Sequence, residues 1–215
     1  MNHHDIAGLH GTAKAEESFE ASSAADEEDK ILDAAARLVA DGGYEALTFE
    51  HVADAASIPV AAIEEHFASR HALASAILDS EGASMRRAQQ HARALSDVPL
   101  EVLRNTYRIV GDNLATIPVV RAGVRLATEA RRYFPERRID PFRTWDQFVT
   151  DLLEQAKGAG HLKPGTDIVA ATWVLVAVAM GTRDLLAFRD AWSEAPTRLH
   201  DSASAVIALI SADMP

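Results

Sequence analysis

From Glu27 onward the apolar residues fall at helical spacing. Ile31, Leu32, Ala35, Leu38 and Val39 stand at i, i+1, i+4, i+7 and i+8, which predicts one buried stripe on a helix, and Gly42 and Gly43 mark its end. Thr48 is placed to cap a short second helix, FEHVADAA, with Val52 and Ala55 facing inward. After a turn at Ser57 and Ile58, Pro59 takes a favourable first helical position, and a third helix runs to about Phe67. Ser69 caps a fourth, in which Leu73, Ile77 and Met85 continue an apolar face. Three short helices with a tight turn between the second and third make a helix-turn-helix.

The rest of the chain is helical by the same criterion. Segments near residues 100–115, 119–132, 141–158, 167–188 and 197–212 are separated by breaks at Pro99, Pro118, Pro135, GAGHLKPG and SEAP. No stretch alternates as a strand does, and no period repeats. The expected fold is all-α, with three parts: a disordered acidic tail (1–25), a helix-turn-helix head (26–78) and a helical ligand-binding and dimerisation body (79–215). The tail is expected because Ala, Ser, Glu and Gly there offer too little apolar surface to offset the entropy of ordering. In the body, DIVAATWVLVAVAMGTRDLL is apolar nearly all round, which predicts burial on several sides. Its run from Ile168 to Gly181 is interrupted by Thr172, is shorter than a bilayer span of roughly 20 residues and lies between Asp167 and Arg183, so no membrane segment is expected. With SASAVIALI it suits either a monomer core or a dimer bundle, where Ala203, Ser204, Ala205 and Ala208 permit close approach.

Composition narrows the chemistry. With no cysteine there is neither a disulfide framework nor a zinc-thiolate site, which fits a reducing cytoplasm. The N-terminus lacks the basic flank and apolar core of a signal peptide, so no export is expected. His3, His4 and His10 lie in the tail without a scaffold to hold a metal, and no metal or cofactor is expected. The net charge of −11 is unevenly spread. Residues 26–78 carry 11 acids against 3 bases, whereas residues 79–215 carry 17 of each sign, so the excess negative charge lies in the N-terminal third.

The run ILDAAARLVADGGYEALTFEHVADAASIPVAAIEEHFASRHALASAIL resembles the head of TetR-family transcription regulators, with the Gly-Tyr after helix one, the Thr opening helix two and the closing His66-Phe67. Further on, PVVRAGVRLATEA and DPFRTWDQFVTDLLEQAKGAGHL resemble the ligand domain of the γ-butyrolactone receptors, a branch of that family. The resemblance implies a homodimer that presents each third helix to a major groove, pairs through a four-helix bundle of the bodies, and releases DNA when a small apolar or lactone-like ligand enters the body. The positions it assigns to DNA contact are Thr48, Pro59, Val60, Ala61, Glu64, Glu65 and His66. In the family a glycine usually stands at Ser57, serine or threonine at Pro59, lysine at Val60, glycine at Ala61 and tyrosine at Glu64. Here each phosphate anchor is replaced.

That replacement has a cost. Neutralisation of phosphates by Lys and Arg supplies most sequence-independent affinity, and half or more of the hydrogen bonds in such interfaces go to the DNA backbone. Pro59 donates nothing, Val60 is apolar and Glu64 repels phosphate; Glu65 can accept from a cytosine amino group, but only after docking. A head of net charge −8 is repelled by DNA over a Debye length of about 8 Å at physiological salt. Two readings therefore stand. One is a ligand-responsive repressor-type regulator. The other is a TetR-fold protein that no longer holds an operator and serves as a ligand-binding or heterodimer partner, or as a repurposed enzyme.

For the ligand site the resemblance points to Trp145 as a pocket wall and Thr182 as a polar pocket position. An indole supplies a broad apolar surface with one donor, suited to a small lactone or furan. Trp173 and Trp192 read as ordinary core residues. Arg121, Arg125, Arg131, Arg132, Arg137, Arg138 and Arg143 suit either an anionic ligand or a salt-bridged helix face, the latter being the commoner use of the i, i+4 spacing. Glu129, Arg183 and Asp184 lie on or beside the expected pocket helices, yet no nucleophile-base order, metal spacing or phosphate-binding loop accompanies them, and no catalytic residue is assigned.

Overall fold

The computed structural model describes the backbone of residues 7–138, 140 and 142–212, and the side chains of those from residue 24 onward. Its helices are α1 (Ala7–Gly42), α2 (Phe49–Ala56), α3 (Val60–His66), α4 (Arg70–Leu95), α5 (Pro99–Thr116), α6 (Pro118–Tyr133), α7 (Arg143–Gly158), α8 (Ile168–Phe188) and α9 (Ala195–Ile210). Among the described residues the one extended pairing is an isolated bridge between Leu162 and Ser211. The all-α class holds.

α1 begins at Ala7, well before the start expected near Glu27. The stretch expected to be a disordered tail is thus helical from Ala7, while residues 1–6, with His3 and His4, lie outside the described residues, as does the side chain of His10. Its Ala and Glu content favours helix, a local preference that the scarcity of apolar residues does not remove.

The head follows its sequence signals closely. Thr48 Oγ1 accepts from His51 N at 3.2 Å and Ser69 Oγ from Ala72 N at 3.1 Å, so both expected caps form. Ser57 joins α2 to α3 at φ 56°, in the left-handed region, where a glycine is free of strain and a serine is not. Pro59 precedes α3 as its cap residue, so the helix starts one position later than expected, at Val60. Ala55 is exposed, contrary to expectation: four residues on from Val52, Ala56 comes back to the buried side, whereas three residues on, Ala55 falls short of it.

Two apolar cores lie along α4. The first gathers Ile31, Val39, Leu47, Val52, Ile63, Leu73 and Ile77 from the head and is completed by Ala122, Leu126 and Ala130 of α6 and by Phe134. The second begins further along α4, at Met85, Ala88 and Ala92, and takes in α5, α7, α8 and α9. The boundary drawn between residues 78 and 79 falls inside this continuous helix.

α8 departs from expectation. By length and composition it is long and apolar enough to cross a membrane, and it packs one side against α7 and α9, yet its other side is bare. Val169 (80% exposed), Trp173 (74%) and Phe188 (89%) stand out from α8, and Leu209 (74%) continues the patch on α9. Trp173 is therefore not a core residue. Of the small residues on α9, Ala205 and Ala208 are exposed, whereas Ala203 is fully buried in the monomer's own core. An all-apolar helix satisfies the sequence pattern equally well whether its second side is covered by the same chain or by another, and periodicity cannot separate the two.

Candidate functional site

A cavity of about 480 Å³ opens in the body between α4, α5, α6, α7 and α8. Its walls are mostly apolar, from Leu78 and Met85 of α4, Tyr107 and Val110 of α5, Val124 of α6, Trp145 of α7 and Met180 of α8, with charged groups including Arg86 and Arg137 also in the lining. Trp145 is half-buried, in edge contact with Tyr107 at 6.1 Å and Phe148 at 6.0 Å between ring centroids. Tyr107 Oη donates to Leu175 O at 2.9 Å, and burial pushes its phenol above the ordinary range, so it stays neutral and holds α5 to α8. Trp145, the position that the resemblance assigns to a pocket wall, lines this cavity.

Thr182 is not part of that cavity. It lies between the cavity residues Met180 and Arg183 of α8 but lines a smaller surface hollow beside α9, and its Oγ1 is 3.1 Å from Ser202 Oγ. Being two residues past Met180 turns it about 200° around the helix, away from the cavity and toward α9. Arg183, which is adjacent, does line the cavity and pairs with Asp184. Glu81 is also in the lining, a place that composition and charge alone do not assign to it. A signal was present: Leu78, Glu81, Gly82 and Met85 share one helical face, so a carboxylate stands on an apolar stripe.

Four of the seven arginines have partners within the fold. Arg121 Nη1 donates to Leu114 O at 2.6 Å, closing the end of α5, and its guanidinium stacks over Trp192. Arg125 Nη1 donates to Ala40 O at 2.9 Å and Asp41 O at 2.8 Å, the last carbonyls of α1, while Glu129 accepts from Tyr44 N at 3.2 Å. Arg132 pairs with Glu45, and Arg137 with Asp79. α6 thus grips the head through charged groups on one side and lines the cavity on the other. Among the described residues no group of His, Asp and Glu is arranged to hold a metal.

On the head, Pro59, Ala61, Glu64 and Glu65 of the turn and α3 are exposed, and Val60 is partly so. Thr48 spends its hydroxyl on the cap of α2, and His66 Nε2 lies 3.3 Å from Glu27 Oε2 on α1. The exposed side of α3 thus carries two carboxylates and no base.

Residues 31–77 match the bacterial regulatory proteins of the tetR family, and residues 98–210 match the tetracyclin repressor-like C-terminal domain. The chain belongs to the TetR family. This TetR-family chain is 27% identical over 151 residues to the A-factor receptor protein of Streptomyces griseus; the match spans 70% of the chain but about half (51%) of that relative's length. Among solved structures it resembles the TetR-family protein CprB from Streptomyces coelicolor in complex with its biological operator sequence (28% identity, TM-score 0.77, covering 88% of this chain and 90% of that one). It also resembles a γ-butyrolactone receptor described as ArpA-like (26% identity, TM-score 0.70, covering 87% and 99%). The chain is thus a TetR-family regulator resembling the γ-butyrolactone receptors.

Proposed function

We propose that this chain is a dimeric, repressor-type regulator whose body cavity receives a small apolar, lactone-like ligand against Trp145, and whose head responds through α4 and α6. The observation that carries the reading is the position of the cavity: α4 and α6 line it, and the same two helices complete the core of the head. A ligand that spreads α4 from α6 necessarily shifts the head, because interiors packed this densely move as bodies rather than deform. The bare apolar side of α8, continued on α9, supplies the surface on which a second copy pairs.

A second reading is favoured by one observation, the acidic exposed side of α3: the chain binds its ligand or a partner subunit and holds no operator. A salt series of DNA binding against the DNA upstream of the gene decides between them. Sequence-selective binding at physiological salt supports the regulator. No binding even at low salt, where electrostatic terms are strongest, supports the second reading. The cavity is tested separately: Trp145→Ala is expected to weaken lactone binding at least tenfold, about 1.4 kcal/mol, by calorimetry, and unchanged affinity refutes the pocket.

A further inference from the structure

Glu81 is the one carboxylate among the α4 residues of the cavity wall, and nothing in the fold explains it. It is half-buried, and no side chain or backbone group of the described residues is hydrogen-bonded to its carboxyl, in contrast to Glu129, Glu45 and Asp79. Its stem is pinned: α6 approaches so closely at Gly123 that a Cβ there would overlap Glu81 Cβ. The side chain therefore has little room to withdraw from the cavity.

The charges around it have other partners or stand in water. Arg137 is paired with Asp79 and Arg183 with Asp184, Asp140 accepts from Phe142 N and Arg143 N, and Tyr107 donates to Leu175 O. Arg86, five residues along α4, also lines the cavity but is exposed to water and makes no hydrogen bond to Glu81 among the described residues. Burial raises Glu81 to about 7, and the Arg86 guanidinium only partly opposes this. A ligand filling an apolar-walled cavity expels more water and drives the carboxyl further toward its neutral form. A neutral acid has an O–H to donate, and left without an acceptor in a dry site it costs free energy.

We propose that Glu81 is the polar anchor of the cavity: as a neutral acid it donates a hydrogen bond to the carbonyl oxygen of an uncharged ligand, and binding at alkaline pH takes up a proton. The proposal rests on the cavity being the ligand site. It makes Glu81 a specificity-determining residue that favours a carbonyl-bearing ligand over an ether or hydrocarbon of equal size, and it makes affinity depend on pH. The sign follows from the protonation states. With the empty-state value near 7 and a neutral acid in the complex, affinity is full below that value and falls as pH rises past it, by about thirtyfold between about pH 6 and about pH 8.5.

Calorimetry of the full chain with γ-decalactone, in buffers of different ionisation enthalpy, tests this. The expected result is that fall in affinity, with close to one proton taken up per ligand at the higher pH. The ring ether 2-hexyltetrahydrofuran, which lacks the carbonyl and offers only a weaker ether acceptor, is expected to bind more weakly at every pH and with a shallower pH dependence than the lactone. Glu81→Gln keeps an N–H donor but does not titrate, so its profile is expected to be flat. Arg86→Ala, at an exposed position, is expected to move the midpoint of the wild-type profile upward. Lactone affinity independent of pH, or a pH profile retained in Glu81→Gln, overturns the assignment. If the lactone then still binds and Trp145→Ala abolishes that binding, the cavity stands as the ligand site and Glu81 alone is wrong; if Trp145→Ala has no effect, the cavity falls too.

Discussion

Arg125 offers the sharpest test of the link between body and head. Its guanidinium, reaching from α6, donates to Ala40 O and Asp41 O at 2.9 and 2.8 Å. These are C-terminal carbonyls of α1, which have no partner of their own within the helix. A cation at a helix C-terminus is worth about 0.3–1 kcal/mol when exposed and up to ~2 kcal/mol when partly buried. The side chain is 40% exposed, so water can replace part of what is lost. Arg125→Met, which keeps the stem but removes the guanidinium, is therefore expected to cost about 1–2 kcal/mol. For a chain of this size that lowers Tm by roughly 3–6 °C. Urea unfolding followed by circular dichroism measures the cost. Amide hydrogen exchange adds the location, because Tyr44 N bonds to Glu129, the neighbour of Arg125, and is expected to lose protection together with the end of α1. Arg125→Lys, with a point charge in place of a planar fork, is expected to recover about half. A loss below about 0.5 kcal/mol with Tyr44 protection unchanged would show that α6 does not hold the head through this contact.

Gly111→Ala is expected to destabilise the body by about 2–4 kcal/mol, because the new Cβ would lie 2.5 Å from Pro196 Cα and 2.6 Å from Ala195 O, backbone that cannot rotate aside; Gly158→Ala, with open space around it, serves as the control in the same unfolding assay. Trp173→Glu with Phe188→Glu is expected to convert a dimer to monomer in sedimentation velocity, since both positions stand on the bare side of α8; an unchanged sedimentation coefficient would place the dimer interface elsewhere. Val60→Lys with Glu64→Gln on the exposed part of α3 is expected to strengthen DNA binding about tenfold or more at low salt and to steepen its salt dependence by about one unit per half-site. Equal affinity and slope would mean that α3 does not face the phosphates.

Where local rules decide, the sequence was legible. Thr48, Ser69 and the glycines after Asp41 act within four residues of themselves, and each ended or capped the helix it was expected to. The wall position of Trp145 came from the family resemblance. What stayed hidden depends on distant partners. Nothing within reach of Thr182 in the sequence says whether its side of α8 faces the cavity or α9. Trp173 has the pattern of a core residue, because an apolar helix face reads the same in sequence whether or not its own chain covers it. Glu81 was readable in principle, as a carboxylate on an apolar helical face, but such a residue looks like a solvated side chain until α6 is seen to close over it.

The head's core is finished by Ala122, Leu126, Ala130 and Phe134, which arrive from beyond residue 100. A fragment ending where the helix-turn-helix ends would strip the α6 side from the core that holds Ile31, Leu73 and Ile77 and leave only the first third of α4. Head and body are therefore not interchangeable parts. A chimera that grafts this head onto a related body must bring the matching face of α6 with it, and the changes tolerated in the head are constrained by residues more than forty positions beyond its end.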